Sequence, residues 1–190
     1  MKLCVYLGSN FGAKKIYRQT AEAVGKSVAK RGWTLVYGGA NKGMMGAMAD
    51  AALKHGGKVV GVIPQKFADL GAAKEGLSEL HVVKDMHARK AKMAELSDAF
   101  LALPGGLGTW EEALEAATWT QIGFHSKRVA LLNVAGYYEP LYEQFVRSIE
   151  EGFVSVNFLE AIGFGTELEP ILDFLSQGDV TVPDTKWFHS

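Results

Sequence analysis

The chain has 190 residues, with 20 Lys+Arg against 21 Asp+Glu, 48% hydrophobic residues, 22 Gly and a single Cys. This length fits one domain, 1–190, whose core is large enough to do without disulfides or metals. A net charge of −1 argues against a broad footprint for nucleic acid or acidic membranes, while leaving room for a local pocket that holds one small anion.

One cysteine cannot close an internal disulfide, which suits a reducing cytosol, and Cys4 sits in an apolar run as a small buried hydrophobe. No stretch approaches the roughly 18 apolar residues of a membrane span, and the apolar run after Lys2 is too short for a secretory signal. The expectation is a cytoplasmic protein with neither a nucleic-acid nor a membrane partner.

In chain order, short apolar runs alternate with longer helical segments. A strand over 2–7 leads to a helix over 14–31; a strand over 34–37 leads to a helix over 43–56. Strands over 58–63 and 80–83 precede a helix over 85–97. A strand over 99–103, a helix over 109–123, a strand over 128–133 and a helix over 138–151 follow. An edge strand near 161–165, a helix over 167–177 and a tail over 183–190 complete the reading. The central strands lack in–out alternation, as strands buried on both faces of a parallel sheet do. The pattern predicts an α/β, doubly wound, mostly parallel sheet, whose ligands bind beyond the carboxyl ends of the strands.

Three of these strands end in glycine turns: Gly8-Ser9-Asn10, Gly38-Gly39-Ala40-Asn41-Lys42-Gly43 and Pro104-Gly105-Gly106-Leu107-Gly108-Thr109. A parallel sheet opens all three on one edge, where glycine lets backbone N–H groups approach an anion closely. Tight strand-to-helix turns need glycine in any case, so each turn alone is equally well a turn and nothing more. The third leads into a helix N-terminus, a ready phosphate site, with the Ser9 and Thr109 hydroxyls as further donors. A P-loop is excluded because Met44, not Lys, follows Gly43, and a dinucleotide fingerprint fails because Glu111 takes the place of its last glycine. The loop suits a single phosphate.

Glu111, Glu112 and Glu115 crowd the helix that this loop opens. Thr109 and Glu112 also fit a capping box, which is a purely structural reading of the same residues. Upstream, Asp85 is placed to cap a helix carrying Arg89 and Lys90 in its first turn. Cations there oppose the helix dipole, so either they form a solvated basic face or something else holds them there. A meeting of Arg89 with Glu112 at the sheet edge is the sharper hypothesis. Histidines in metal-ligand spacing and a Gly-x-Ser-x-Gly elbow are both missing from the sequence. Trp119, Ile122 and Phe124 read as core or as subunit interface.

Pro104-Gly105-Gly106-Leu107-Gly108-Thr109-Trp110-Glu111-Glu112 matches the pattern PGGxGTxxE, and Asp85-Met86-His87-x-Arg89-Lys90 lies upstream of it. With Cys4-Val5-Tyr6 and Leu131-Leu132-Asn133-Val134-x-Gly136-Tyr137-Tyr138, these segments resemble the LONELY GUY (LOG) family, whose members are often labelled lysine decarboxylases. The resemblance implies a Rossmann-like nucleotide-binding fold. It implies a hydrolase that splits a cytokinin riboside 5′-monophosphate, or AMP, into free base and ribose 5-phosphate without metal or organic cofactor. Carried onto this sequence, Arg89 and Glu112 take the catalytic positions. Lys90, the stretch Gly106, Leu107, Gly108, Thr109, Trp110 and Glu111, and Thr118 take substrate-binding positions. Gly8, Ser9, Met86 and Gly105 complete the expected binding set. The resemblance also implies a homodimer or higher homo-oligomer with its site near the interface. The sequence departs from the family at Ala40, where a third glycine is usual, and at Lys42, which adds a charge.

In the expected mechanism Glu112 stabilises the positive charge that builds on the ribose or activates water, and Arg89 orients it. The competing expectation is a non-catalytic nucleotide-binding or carrier protein that uses the same phosphate cradle.

Overall fold

Alternation inside the strands decides which side chains go to which face of the sheet. In the computed structural model, which describes residues 1–180, β1 (Lys2–Tyr6) turns Leu3 and Val5 to one face and Cys4 and Tyr6 to the other. β2 (Thr34–Tyr37), β3 (Lys58–Pro64), β5 (Ala99–Ala102) and β6 (Val129–Leu132) divide their side chains in the same way. Both faces are apolar because both are covered by helices. β4 (Glu79–Val83) and β7 (Ile162–Gly165) close the two edges.

All seven strands are parallel, in the order β4-β3-β2-β1-β5-β6-β7. Successive strands step outward from β1 to β4. The chain then crosses back through a helix to lay β5 against the other side of β1. Strand order therefore reverses between β1 and β5, and the crevice of a doubly wound sheet opens there.

One face is covered by α1 (Lys15–Lys30), α2 (Gly43–Lys54) and α8 (Leu168–Leu175). The other is covered by α4 (Met86–Glu95) and α5 (Leu107–Gln121), with Tyr138 and Phe158 packed beside them. Cys4 is fully buried, and burial pushes its thiol up to about 12, consistent with an inert hydrophobe. α6 (Glu139–Glu150) follows a single 3-10 turn, Val134–Gly136. Among the described residues no helix is long and apolar enough to cross a membrane. The expected tail, 183–190, lies outside the described residues.

Two short helices, α3 (Gln65–Asp69) and α7 (Phe158–Ala161), were not expected; with five and four residues they span too little chain to show a period. The start of α5 is a correction. The helix begins at Leu107, with Gly106 as N-cap and no side-chain cap. Thr109 is therefore already inside the first turn, and Glu112 lies beyond it. The capping-box reading of Thr109 and Glu112 fails, because a capping glutamate must reach back from the third helical position. Asp85 does cap α4, accepting the Ala88 N–H at 2.8 Å.

Candidate functional site

The three glycine turns meet at the crevice between β1 and β5. The Gly8 N–H donates to the Pro104 carbonyl at 3.1 Å, joining the first turn to the third. Gly43 lies against the Ser9 carbonyl so closely that a Cβ there would stand 1.9 Å from that oxygen, joining the second turn to the first. At Gly105 a Cβ would stand 2.1 Å from Thr109 Oγ1 and 2.8 Å from the Gly8 nitrogen. These glycines are required by the packing of one turn on another.

Gly106 and Gly108 differ. Neither has a positive φ, and a Cβ at either would meet nothing within 4 Å. Neither backbone strain nor protein packing explains glycine at these two positions. They flank the first N–H groups of α5, with space above them that a ligand can enter.

Beside this cradle lies a buried ion pair. Arg89 Nη1 stands 3.2 Å from Glu112 Oε1, with 12% and 9% of the two side chains exposed. Arg89 Nε donates to the Val62 carbonyl at 3.2 Å, so the guanidinium is fixed from β3 as well as from α5. Its other edge passes over Gly38: a Cβ there would fall 1.9 Å from Nη2. The next residue, Lys90, is clamped by Glu111 and Glu115, each at 2.8 Å. The two cations that oppose the α4 dipole are thus held by carboxylates of α5, and the expectation of a solvated basic face does not hold for Arg89 and Lys90.

The charges respond to these surroundings. Burial raises the Glu112 carboxyl above its ordinary 4.5, and the attraction of Arg89 offsets only part of that effect. Hydrogen bonds that Lys90 donates to Glu111 and then to Glu115 raise its ammonium, and Lys90 in return lowers Glu111. Lys90 is therefore held firmly charged.

Of the remaining expected residues, Gly8, Ser9, Gly105, Gly106, Leu107, Gly108 and Thr109 gather at the cradle. Met86 is 40% exposed and lies next to Arg89, whose Nη1 is 3.8 Å from its sulfur. Trp110 is on the exposed side of α5. Thr118 is not brought to the site: it lies eleven residues along α5 from Leu107, about 16 Å at helical rise. Its hydroxyl is bonded to the Leu114 carbonyl at 2.7 Å. Phe124 is 76% exposed, whereas Trp119 packs against the core. Among the described residues no group of three or more His, Cys, Asp or Glu is placed to hold a metal ion.

The sequence places Gly38 in one of the three anion-approaching turns, but its importance lies in a contact with a distant arginine, which the sequence does not show. Nor does it assign a role to Tyr137 or Tyr138, although both were visible in the segment that follows β6.

Fold and site define a Rossmann-like α/β protein with glycine turns and a buried arginine–glutamate pair gathered at its switch point. Residues 45–175 match the family model described as "Possible lysine decarboxylase". Curated relatives include a cytokinin riboside 5′-monophosphate phosphoribohydrolase of Rhodococcoides fascians, 51% identical over 80% of this chain and 77% of that protein. A probable enzyme of the same name from Oryza sativa subsp. japonica is 42% identical over 98% of this chain and 78% of its own length. The chain belongs to this family, the LOG phosphoribohydrolases. Among solved structures, the molybdenum cofactor binding protein of Rippkaea orientalis is similar with a TM-score of 0.69 at 23% identity, over 90% of this chain and 93% of that one. The molybdenum cofactor carrier protein of Chlamydomonas reinhardtii has the same TM-score at 22% identity, over 93% and 98% of the two chains. At those identities the likeness is one of fold.

Proposed function

We propose that this protein hydrolyses the N-glycosidic bond of a purine riboside 5′-monophosphate, of the cytokinin type or AMP, to free base and ribose 5-phosphate. The observation that carries the reading is the buried Arg89–Glu112 pair standing beside an open anion cradle. A protein that only bound phosphate would have no use for a carboxylate kept in a desolvated site.

The 5′-phosphate sits on the N–H groups at the start of α5, lined by Gly106, Gly108 and Thr109. Binding energy gathered there fixes the anomeric carbon near Glu112. As the C1′–N bond breaks, its electron pair leaves with the purine and the ribose ring becomes cationic. The Glu112 carboxylate, in a site of low dielectric, stabilises that cation and orients the attacking water. Water supplies the hydroxyl that bonds to C1′, and the balance of its atoms is the proton gained by the base. Arg89 holds Glu112 in place and in its charged form. A guanidinium does not give up its proton, so Arg89 is not the general acid.

Decarboxylation, the chemistry in the family model's description, calls for a lysine that can lose its charge to form a Schiff base. Lys90, which follows Arg89 in α4, has two carboxylate partners that keep it protonated.

A second copy of the chain completes the site in this reading. Leu107, Trp110, Leu114 and Thr118 follow one another by three, four and four residues, and all are exposed on one side of α5. Pairing this stripe with its copy across a two-fold axis covers the apolar side chains and carries Thr118 toward the partner's cradle.

The test is incubation of the purified protein with AMP and with isopentenyladenosine monophosphate, followed by chromatography for free base and ribose 5-phosphate. Release from either supports the hydrolase, and the ratio of rates gives the base preference. Binding of both with release from neither replaces it with a nucleotide-binding or carrier protein.

A further inference from the structure

Three successive carbonyls lead from β5 into the cradle, and each is held by a donor from elsewhere in the chain. The Leu103 carbonyl accepts the Tyr138 hydroxyl at 2.7 Å. The Pro104 carbonyl accepts the Gly8 N–H at 3.1 Å. The Gly105 carbonyl accepts the Tyr137 hydroxyl.

The third of these bonds bears on the ligand. A trans peptide holds its N–H antiparallel to its C=O, and the described residues contain no cis peptide. Turning the Gly105 carbonyl toward Tyr137 therefore turns the Gly106 N–H to the opposite side. Gly106 has no side chain to fix this plane and no neighbour within 4 Å of where one would begin. Without the tyrosine the plane can rotate, because glycine on both sides of the peptide imposes few steric limits.

The tyrosine is itself firmly placed. Its ring packs edge-on against Tyr17, with centroids 6.0 Å apart, and against Tyr138 at 5.1 Å. Tyr138 is buried, and its N–H donates to Asn133 Oδ1 at 2.8 Å. The preceding turn places two residues in succession in the left-handed region, Ala135 at φ 53° and Gly136 at φ 76°. Ala135 is the sole non-glycine with positive φ among the described residues. A strained backbone persists where the surrounding structure fixes it, and here it delivers Tyr137 to the cradle.

We propose that Tyr137 is a positioning residue that orients the Gly105–Gly106 peptide so that the cradle presents its N–H groups to the substrate phosphate. The proposal rests on the phosphate site described above and deepens it. Tyr138 anchors the strand end two peptides earlier.

The experiment compares Tyr137→Phe with the wild type in two ways: calorimetric binding of ribose 5-phosphate, and steady-state kinetics on AMP. The substitution keeps the ring and its packing and removes only the donor. One hydrogen bond corresponds to about a three- to tenfold change in affinity. The expected result is a rise of that size in the dissociation constant for ribose 5-phosphate and in KM, with kcat changed less than KM. The ratio of AMP affinity to adenosine affinity falls by the same factor, which a general loss of stability would not produce. Unchanged ribose 5-phosphate binding, or a loss confined to kcat, overturns the proposal. Tyr17→Leu, which removes the ring against which Tyr137 leans but keeps the hydroxyl, should move the same constant in the same direction by a smaller factor. An opposite shift also overturns the proposal. Because ribose 5-phosphate binding is measured without turnover, failure of the positioning role is distinguishable from failure of the hydrolase reading.

Discussion

Gly38 offers the most direct test of whether the placement of Arg89 matters to the chemistry. Its φ is not in the left-handed region, so alanine is acceptable to the backbone there. The obstacle is steric: the new Cβ would stand 1.9 Å from Arg89 Nη2. An ordinary contact needs about 3.5 Å, so the guanidinium must retreat by roughly 1.6 Å. That retreat stretches both bonds that place it, to Glu112 and to the Val62 carbonyl, each 3.2 Å long in the native structure. A misplacement of about 1 Å at a catalytic constellation costs on the order of 10²-fold in rate.

Gly38→Ala should therefore lower kcat on AMP by about 10²-fold. The fold itself is cushioned, because replacing glycine by alanine restricts the unfolded chain and returns about 0.4–1 kcal/mol of stability. The assay is base release under saturating AMP, accompanied by thermal melting to show that the variant is folded. A folded Gly38→Ala protein with wild-type kcat would refute the reasoning, since it would separate turnover from the position of Arg89.

Glu112→Gln should lower kcat by about 10²–10⁴-fold while still binding AMP. Its melting temperature at pH 7 should be no lower than that of the wild type. The sign follows from the raised carboxyl: above 4.5 and up to its folded value, the native state binds more protons than the unfolded chain, so stability falls as pH rises through that window. The same shift places the acid limb of wild-type kcat above 4.5, and that limb should vanish from the residual activity of the variant; a wild-type limb at or below 4.5 would contradict the burial argument. Leu114→Glu, on the exposed stripe of α5, should convert a dimer to a monomer in sedimentation velocity and lower kcat/KM more than tenfold. A fully active monomer would remove Thr118 from the site.

The sheet was legible in the sequence because β1, β2, β3, β5 and β6 are apolar on both faces, and only a helix-covered parallel sheet calls for that. The glycine turns were legible because each follows a strand, and parallel strands open on one edge. Arg89 and Glu112 were legible as a hypothesis because cations at the start of α4 oppose its dipole, and carboxylates one turn from a bound phosphate need cations to offset them. The start of α5 was misjudged because Gly106 caps it without a side chain, while Gly108 made Thr109 look like the first helical residue. Gly38 and Tyr137 carried no local signal of what they do. One matters through the space it leaves for Arg89, the other through a bond to a carbonyl 32 residues earlier. Neither contact has a sequence spacing from which it could be read.

The distribution of charge around the cradle raises a question about the phosphate. Arg89 and Lys90 look like its natural partners, yet both are committed: Arg89 to Glu112, Lys90 to Glu111 and Glu115. These two cations face three carboxylates, so the side chains at the start of α5 offer an anion no net attraction. What remains is the set of N–H groups at the helix start, a neutral donor array strengthened by the helix dipole. Such a site acts at contact range and is little affected by salt, whereas attraction by free surface cations is screened within about 10 Å at 0.1 M salt. KM for AMP should therefore change less than about threefold between about 0.02 and 0.2 M salt, over which the Debye length falls from roughly 20 to 7 Å. A steep rise in KM would contradict this division of labour and move the phosphate toward Lys42, the exposed cation at the start of α2. Lys42→Ala would then abolish the salt dependence; if the cradle holds the phosphate as argued, the same substitution leaves KM nearly unchanged.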